Sequence, residues 1–224
     1  VGHLGGVFSL IEDNHIHHIN NKQNLAGAEI GGIKMHAAID CIYRRNHIHH
    51  CTRGIWLDWQ AQGTRVTQNF FHDNIPPRSP GKDIIAEVAE DLFIEVSHGP
   101  TLVDNNIFLS PRALKLATQG VALVHNLIAG SFTAVGRGCN NGAPNRPSPR
   151  YTPYHMKHRT EIAGFMTILH GDCKFYNNIF IQQPIHPEFA ARMLDNANND
   201  WDDSNFVAGT RPYNNYPTFE EWDA

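Results

Sequence analysis

An asparagine recurs along this chain in a fixed apolar setting. Six segments read apolar-x-x-Asn-x-Ile/Phe or a near variant: IEDNHI at Asn14, YRRNHI at Asn46, VTQNFF at Asn69, VDNNIF at Asn105, VHNLI at Asn126 and YNNIF at Asn177. The intervals are 32, 23, 36, 21 and 51 residues, so the two short ones set the period and the longer ones carry inserted loops. A glycine stands six residues before four of these asparagines, at Gly63, Gly99, Gly120 and Gly171. A period of about 20–25 residues with short apolar strands is the mark of a solenoid whose coils stack like on like. Leucine-rich repeats share the period, but their Leu-x-x-Leu-x-Leu template does not fit. An Asn at one turn of every coil can pass amide hydrogen bonds along the stack and satisfy turn backbone that has no other partner. The expected fold is all-β, a right-handed parallel β-helix with inserted loops, the hand following from the bias of parallel crossovers.

Composition narrows the function. Lys+Arg 18 against Asp+Glu 22 leaves a formal charge of -4 with no basic run, which is not the footprint of a nucleic-acid partner. No stretch approaches the roughly 18 apolar residues of a membrane helix, so no membrane partner is expected. Cys41, Cys51, Cys139 and Cys173 lack CxxC or CxxH spacing and read as small buried hydrophobes. Coils are expected over residues 1–183, with the Pro-, Gly- and Asn-rich segment 136–159 leaving them as an inserted loop. Residues 184–224 lose the repeat and read as an irregular C-terminal extension.

Aligning the coils on Gly and Asn sets GIKMHAA (32–38), GIWLDWQ (54–60), DLFIEVS (91–97) and ALKLA (113–117) side by side. Strand side chains alternate, so Ile55, Leu57 and Trp59 oppose Trp56, Asp58 and Gln60, and Leu92, Ile94 and Val96 oppose Phe93, Glu95 and Ser97. The apolar sets must face inward, which brings Asp58 and Glu95 out on one wall near His36 and Lys115. Asp58 lies eleven residues before Asn69 and Glu95 ten before Asn105. If the stretch 74–90 loops out, the two acids become neighbours on adjacent coils, about 4.8 Å apart at the backbone. Two carboxyls that close cannot both ionise freely, and one pKa is expected to rise. A separation of about 5–5.5 Å also suits a retaining glycosidase, in which one acid is nucleophile and the other acid and then base. Trp56 and Phe93 could stack on a sugar ring. His98, His155 and His158 could donate to hydroxyls, and Glu29 lies close to the same wall.

Two other readings stay open on the residues alone. A polysaccharide lyase also uses a β-helix; Lys115 could be its base, but the acids expected to hold Ca²⁺ are sparse, and NANNDWDDSN (196–205) does not match a calcium loop. A non-catalytic carbohydrate-binding solenoid needs aromatics but no matched carboxylates.

The blocks GIWLDWQAQGTRVTQNFFHDN (54–74), EDLFIEVSHGPTLVDNNIFLSP (90–111), QGVALVHNLIAGSF (119–132) and TPYHMKHRT (152–160) resemble glycoside hydrolase family 120, the β-helical β-xylosidases. The similarity runs over most of residues 1–183. It implies Asp58 as nucleophile, Glu95 as acid/base and Glu29 as a further active-site acid. It also implies retention, a xylo-oligosaccharide substrate and a cytoplasmic location. Two carboxylates require no cofactor. Family members are far longer, so the expectation is a fragment whose exposed coil ends are completed by the missing coils or by a second copy in a homo-oligomer.

Overall fold

A computed structural model of the chain describes residues 2–22, 29–75, 90–133, 150–168 and 172–181, and its strands include no helix among them. Three parallel sheets hold six strands each. The first contains β1 (Gly2–Val7), β4 (Ile33–Ile39), β7 (Ile55–Asp58), β10 (Leu92–Glu95), β13 (Arg112–Ala117) and β16 (Ser131–Thr133). The second contains β2 (Leu10–Glu12), β5 (Ile42–Arg44), β8 (Thr64–Thr67), β11 (Thr101–Asp104), β14 (Val121–Val124) and β19 (Lys174–Tyr176). The third contains β3 (His15–His17), β6 (His47–His49), β9 (Phe70–His72), β12 (Ile107–Phe108), β15 (Leu127–Ile128) and β20 (Ile179–Phe180). The chain visits the three sheets in rotation, which makes each circuit one coil of a right-handed parallel β-helix, the expected fold.

Alternation builds the core. On the first sheet, Ile33, Ile55, Leu92 and Leu114 share one inward column, and Met35, Leu57, Ile94 and Leu116 share the next. None of the eight is more than 2% exposed. On the third sheet Ile16, Ile48, Phe71, Phe108 and Ile128 line up likewise, with the Phe71 and Phe108 rings stacked at 5.0 Å. Cys41 and Cys51 are buried among these columns, and burial raises their thiol pKa values, Cys51 to about 11. Cys139 lies outside the described residues.

The asparagine ladder is real, but two of its rungs differ from the sequence assignment. The side chains pass hydrogen bonds from Asn14 to Asn46, Asn69, Asn106, Asn126 and Asn178. Asn106 and Asn178 therefore occupy the rungs, rather than Asn105 and Asn177. In both Asn-Asn pairs the first residue instead takes the left-handed turn position, with φ of 54° at Asn105 and 50° at Asn177. Asp13, Arg45, Gln68 and His125 hold the same position in the other coils. Each inner rung works four ways. Asn106, for example, accepts from the backbone and amide of Asn69 and donates to Val66 O and Asn126 Oδ1.

Inserted segments adjoin strands of the first sheet in the sequence. The segment 76–89 joins β9 to β10 and lies outside the described residues, as do 134–149 and 182–224. After β16 the chain leaves the coil to form an antiparallel ribbon, β17 (Arg150–His155) and β18 (Ile162–Ile168), before β19. Residues 150–159, read as part of a loop, thus contribute a strand and its turn.

The ladder separates two adjacent asparagines by function. Replacing Asn106 with Ala strands several buried donors and acceptors, each worth about 1–3 kcal/mol when unpaired. Urea denaturation of Asn106→Ala should show a loss of at least about 3 kcal/mol. Asn105→Gly, at a left-handed position that suits glycine, should change stability by less than about 1 kcal/mol.

Candidate active site

Register decides which outward residues meet. β4, β7 and β10 pair so that His36, Asp58 and Glu95 form one column, and Lys34, Trp56 and Phe93 form the column beside it. Asp58 and Glu95 are direct partners on neighbouring strands, and the residues just before them, Leu57 and Ile94, point inward. Adjacent parallel strands lie about 4.8 Å apart, so two acids 37 positions apart in sequence share one patch of wall. The register also places Lys115 beside Phe93, one column away from the acids.

Asp58 is outward-facing but only 4% exposed, because its neighbours cover it. Lys34 Nζ stands 2.7 Å from Asp58 Oδ2, donates to His36 Nε2 at 2.8 Å and pairs with Glu29 Oε2. Its three N–H donors therefore match three acceptors. His36 Nε2 lies 3.3 Å from Asp58 Oδ2 and 3.8 Å from Glu29 Oε2. The other Asp58 oxygen, Oδ1, is buried and has no hydrogen-bond partner among the described residues. Half-buried Glu95 receives a hydrogen bond from Trp56 Nε1 to its Oε2 at 3.2 Å. Glu29, His36 and Asp58 have the donor types of a metal site, with ligand atoms within 4.8 Å of one another. The Lys34 ammonium sits among those atoms and supplies the positive charge a cation would bring.

The aromatic pair does not form the open stacking surface expected of it. Trp56 and Phe93 are 6% and 5% exposed, with their rings stacked at 5.5 Å. The Arg53 guanidinium lies 4.1 Å from the Trp56 ring centre and 4.7 Å from that of Phe93. Lys34 and Lys115 approach the same rings at 4.5 and 5.1 Å. Cations thus occupy the faces expected to meet a sugar, an arrangement favoured by the ring quadrupole. Arg53 is anchored in turn by buried Glu90 at 2.9 Å, with Arg112 3.5 Å from the same carboxylate. Burial alone would raise Glu90, but Arg53, Arg112 and Lys115 outweigh it and hold the carboxyl down at about 2. Next to it, burial pushes Asp91 up to about 7 against hydrogen bonds from Asn74 and Ser110.

The three other predicted histidines do different work: they dock the ribbon against the coils where the first sheet ends. His155 donates Nδ1 to Thr160 O at 2.9 Å and meets the Gln60 side chain through Nε2 at 2.8 Å. Its backbone exchanges two hydrogen bonds with the Gln62 amide. His98 Nε2 contacts Thr152 O at 3.0 Å, and burial lowers its pKa. His158 reaches Asp40 Oδ2 at 2.8 Å. All three are engaged with protein partners, although His155 stands against Gln60, two residues beyond Asp58. Trp59, expected inward, is only half-buried: the strand ends at Asp58, and a φ of 48° at Trp59 breaks the alternation.

Lys34, Arg53 and Glu90 were not singled out from sequence. Lys34 had a readable signal, since it lies two residues before His36 on the same strand face. Arg53 and Glu90 act from the turn before the sheet, where alternation gives no direction.

No family model matches the chain, and no curated protein matches it significantly. Among solved structures it is similar to XylC in complex with xylose, with a TM-score of 0.66 and 40% identity. The match covers 88% of this chain and 29% of XylC, so the chain spans under a third of that protein's length.

Glu90 gives this site a pH signature. A carboxyl held below its unfolded value of 4.5 contributes stability that is present above that pH and is lost as pH falls through about 2. Glu90→Gln removes the buried carboxylate that pairs with Arg53 and Arg112 and should cost about 3–5 kcal/mol at neutral pH. The expected result in chemical denaturation is a less stable variant with a flatter acid limb than the parent between those two pH values.

Proposed function

We propose that this chain carries the catalytic wall of a retaining β-xylosidase related to glycoside hydrolase family 120 and acting from the end of short xylo-oligosaccharides. The observation that carries this reading is the direct pairing of Asp58 with Glu95 on adjacent strands of the outer wall. The similarity to XylC, a protein solved with xylose, supports the sugar class.

In this mechanism Asp58 is the nucleophile and Glu95 the acid/base. Lys34 holds Asp58 through Oδ2 and orients the carboxylate for attack on the anomeric carbon. Glu95 protonates the glycosidic oxygen as the C–O bond breaks, and a xylosyl ester forms on Asp58. Water then loses a proton to Glu95, attacks the same carbon and frees Asp58, so configuration is retained. The indole N–H of Trp56 orients Glu95 through Oε2. Glu29 and His36 border Asp58 through Lys34 and would meet the sugar beside it.

The test is hydrolysis of nitrophenyl β-xyloside, with the anomer released first followed by NMR. The β-anomer and a bell-shaped pH profile of kcat/KM are expected. Asp58→Gly should lower kcat by about 10³-fold or more, and azide should restore part of the turnover as the inverted glycosyl azide. Full activity in Asp58→Ala would remove the assignment. Sugar binding without turnover, unchanged in the Asp58/Glu95 double variant, would instead favour a non-catalytic carbohydrate-binding wall.

A further inference from the structure

The tetrapeptide His-Ile-His-His occurs twice, at His15–His18 and His47–His50, in coils that stack directly on each other. The isoleucines point into the core, so the flanking imidazoles must emerge on the outside of the third sheet. His15 pairs with His47, and His17, His49 and His72 form the next column across β3, β6 and β9. The rings stack nearly parallel along the columns: His15 on His47 at 4.7 Å, His17 on His49 at 5.3 Å and His49 on His72 at 4.7 Å. This is a different wall from the one that carries Asp58 and Glu95.

Ring nitrogens converge at the surface. His15 Nε2 and His49 Nε2 are 2.7 Å apart, and His49 Nδ1 and His50 Nδ1 are 2.6 Å apart. Two triads, His15–His47–His49 and His49–His50–His72, each bring three ligand atoms within 4.8 Å of one another. Asp73 adds an orienting contact, its Oδ2 lying 2.6 Å from His72 Nδ1, which leaves Nε2 as the lone-pair nitrogen. Carboxylates of this kind recur behind metal-ligating histidines. The partners on offer are imidazoles on a solvent-facing sheet, the ligand type of Zn(II), Cu(II) and Ni(II). Spacing separates these ions. At a metal–nitrogen bond of about 2.05 Å, nitrogens this close subtend about 80° at the metal. That lies nearer the right angle of square-planar and octahedral sites than the wider angle of tetrahedral zinc.

We propose that this histidine face binds one late transition-metal ion, Cu(II) or Ni(II), through three imidazoles, with His49 common to both available triads. Water fills the remaining positions. The site stands whether or not the other wall hydrolyses xylosides, because the two share no residue.

Untagged protein titrated with CuCl₂, NiCl₂ and ZnCl₂ in a non-coordinating buffer, by calorimetry and, for copper, by EPR, tests this. Saturable binding of one ion per chain, with nitrogen hyperfine structure from imidazoles, is expected. His49→Ala should weaken binding by about 100-fold or more, since even losses behind the ligands cost about 10–100-fold. His125→Ala, an exposed histidine at the turn between β14 and β15, should leave binding unchanged. The double variant His15→Asn/His72→Asn removes one partly or fully solvent-accessible ring from each triad, so it decides the matter if His49→Ala fails to fold. It too should bind at least about tenfold more weakly. No saturable binding, binding to the double variant equal to that of the parent, or tighter Zn(II) than Cu(II) binding would overturn the proposal and leave a hydrogen-bonded row of imidazoles.

Discussion

Everything in this molecule depends on coils stacking in register. Backbone hydrogen bonds between parallel strands set the spacing at about 4.8 Å, but they do not by themselves say which residue faces which. The asparagine ladder does. Each rung must accept from the backbone and amide of its neighbour in one coil while donating to its neighbour in the next. A slip of one residue would strand several buried polar groups and turn the apolar columns outward. One polar column therefore fixes the register of three sheets, and the rest of the surface follows from it.

That register turns distant sequence into local chemistry. A long insertion between β9 and β10 leaves the pairing of β7 with β10 untouched, because the excursion occurs at a turn and the strands return in phase. Loop closure costs grow slowly with length, so a solenoid tolerates such insertions. Asp58 and Glu95 then meet on the wall, and the cations Lys34, Arg53 and Lys115 meet on the aromatic column beside them. The positive charges are close to three acids, Glu29, Asp58 and Glu90, and each ion pair keeps a partly or fully buried charge compensated. The same stacking rule on the third sheet converts a repeated His-Ile-His-His into a field of parallel imidazoles.

Legibility varied with the physics behind each residue. Inward columns such as Leu57 and Ile94 could be read because strand alternation has a period of two and the core accepts only apolar side chains. Asp58 and Glu95 followed as their outward complements. The rung was misread at Asn105 and Asn177 because each stands in an Asn-Asn pair, and the left-handed turn favours Asn as well. Trp56 and Phe93 were assigned to the correct face, yet their burial came from Arg53, a turn residue whose direction no periodicity encodes. His98, His155 and His158 carried no sign of the ribbon they anchor, since their partners lie up to 118 positions away.

The amino-acid order by itself determined the period, the all-β solenoid and the two faces of each strand, because these follow from local alternation and the need to bury apolar surface. It also determined that an aspartate and a glutamate leave the core on the same wall. Only the tertiary structure decided what surrounds them: the Lys34 clamp on Asp58, the guanidinium between the rings and the ribbon tied down by histidines. Those contacts join separate coils through turns and an insertion, where geometry is set by whatever packs against the chain rather than by its own repeat.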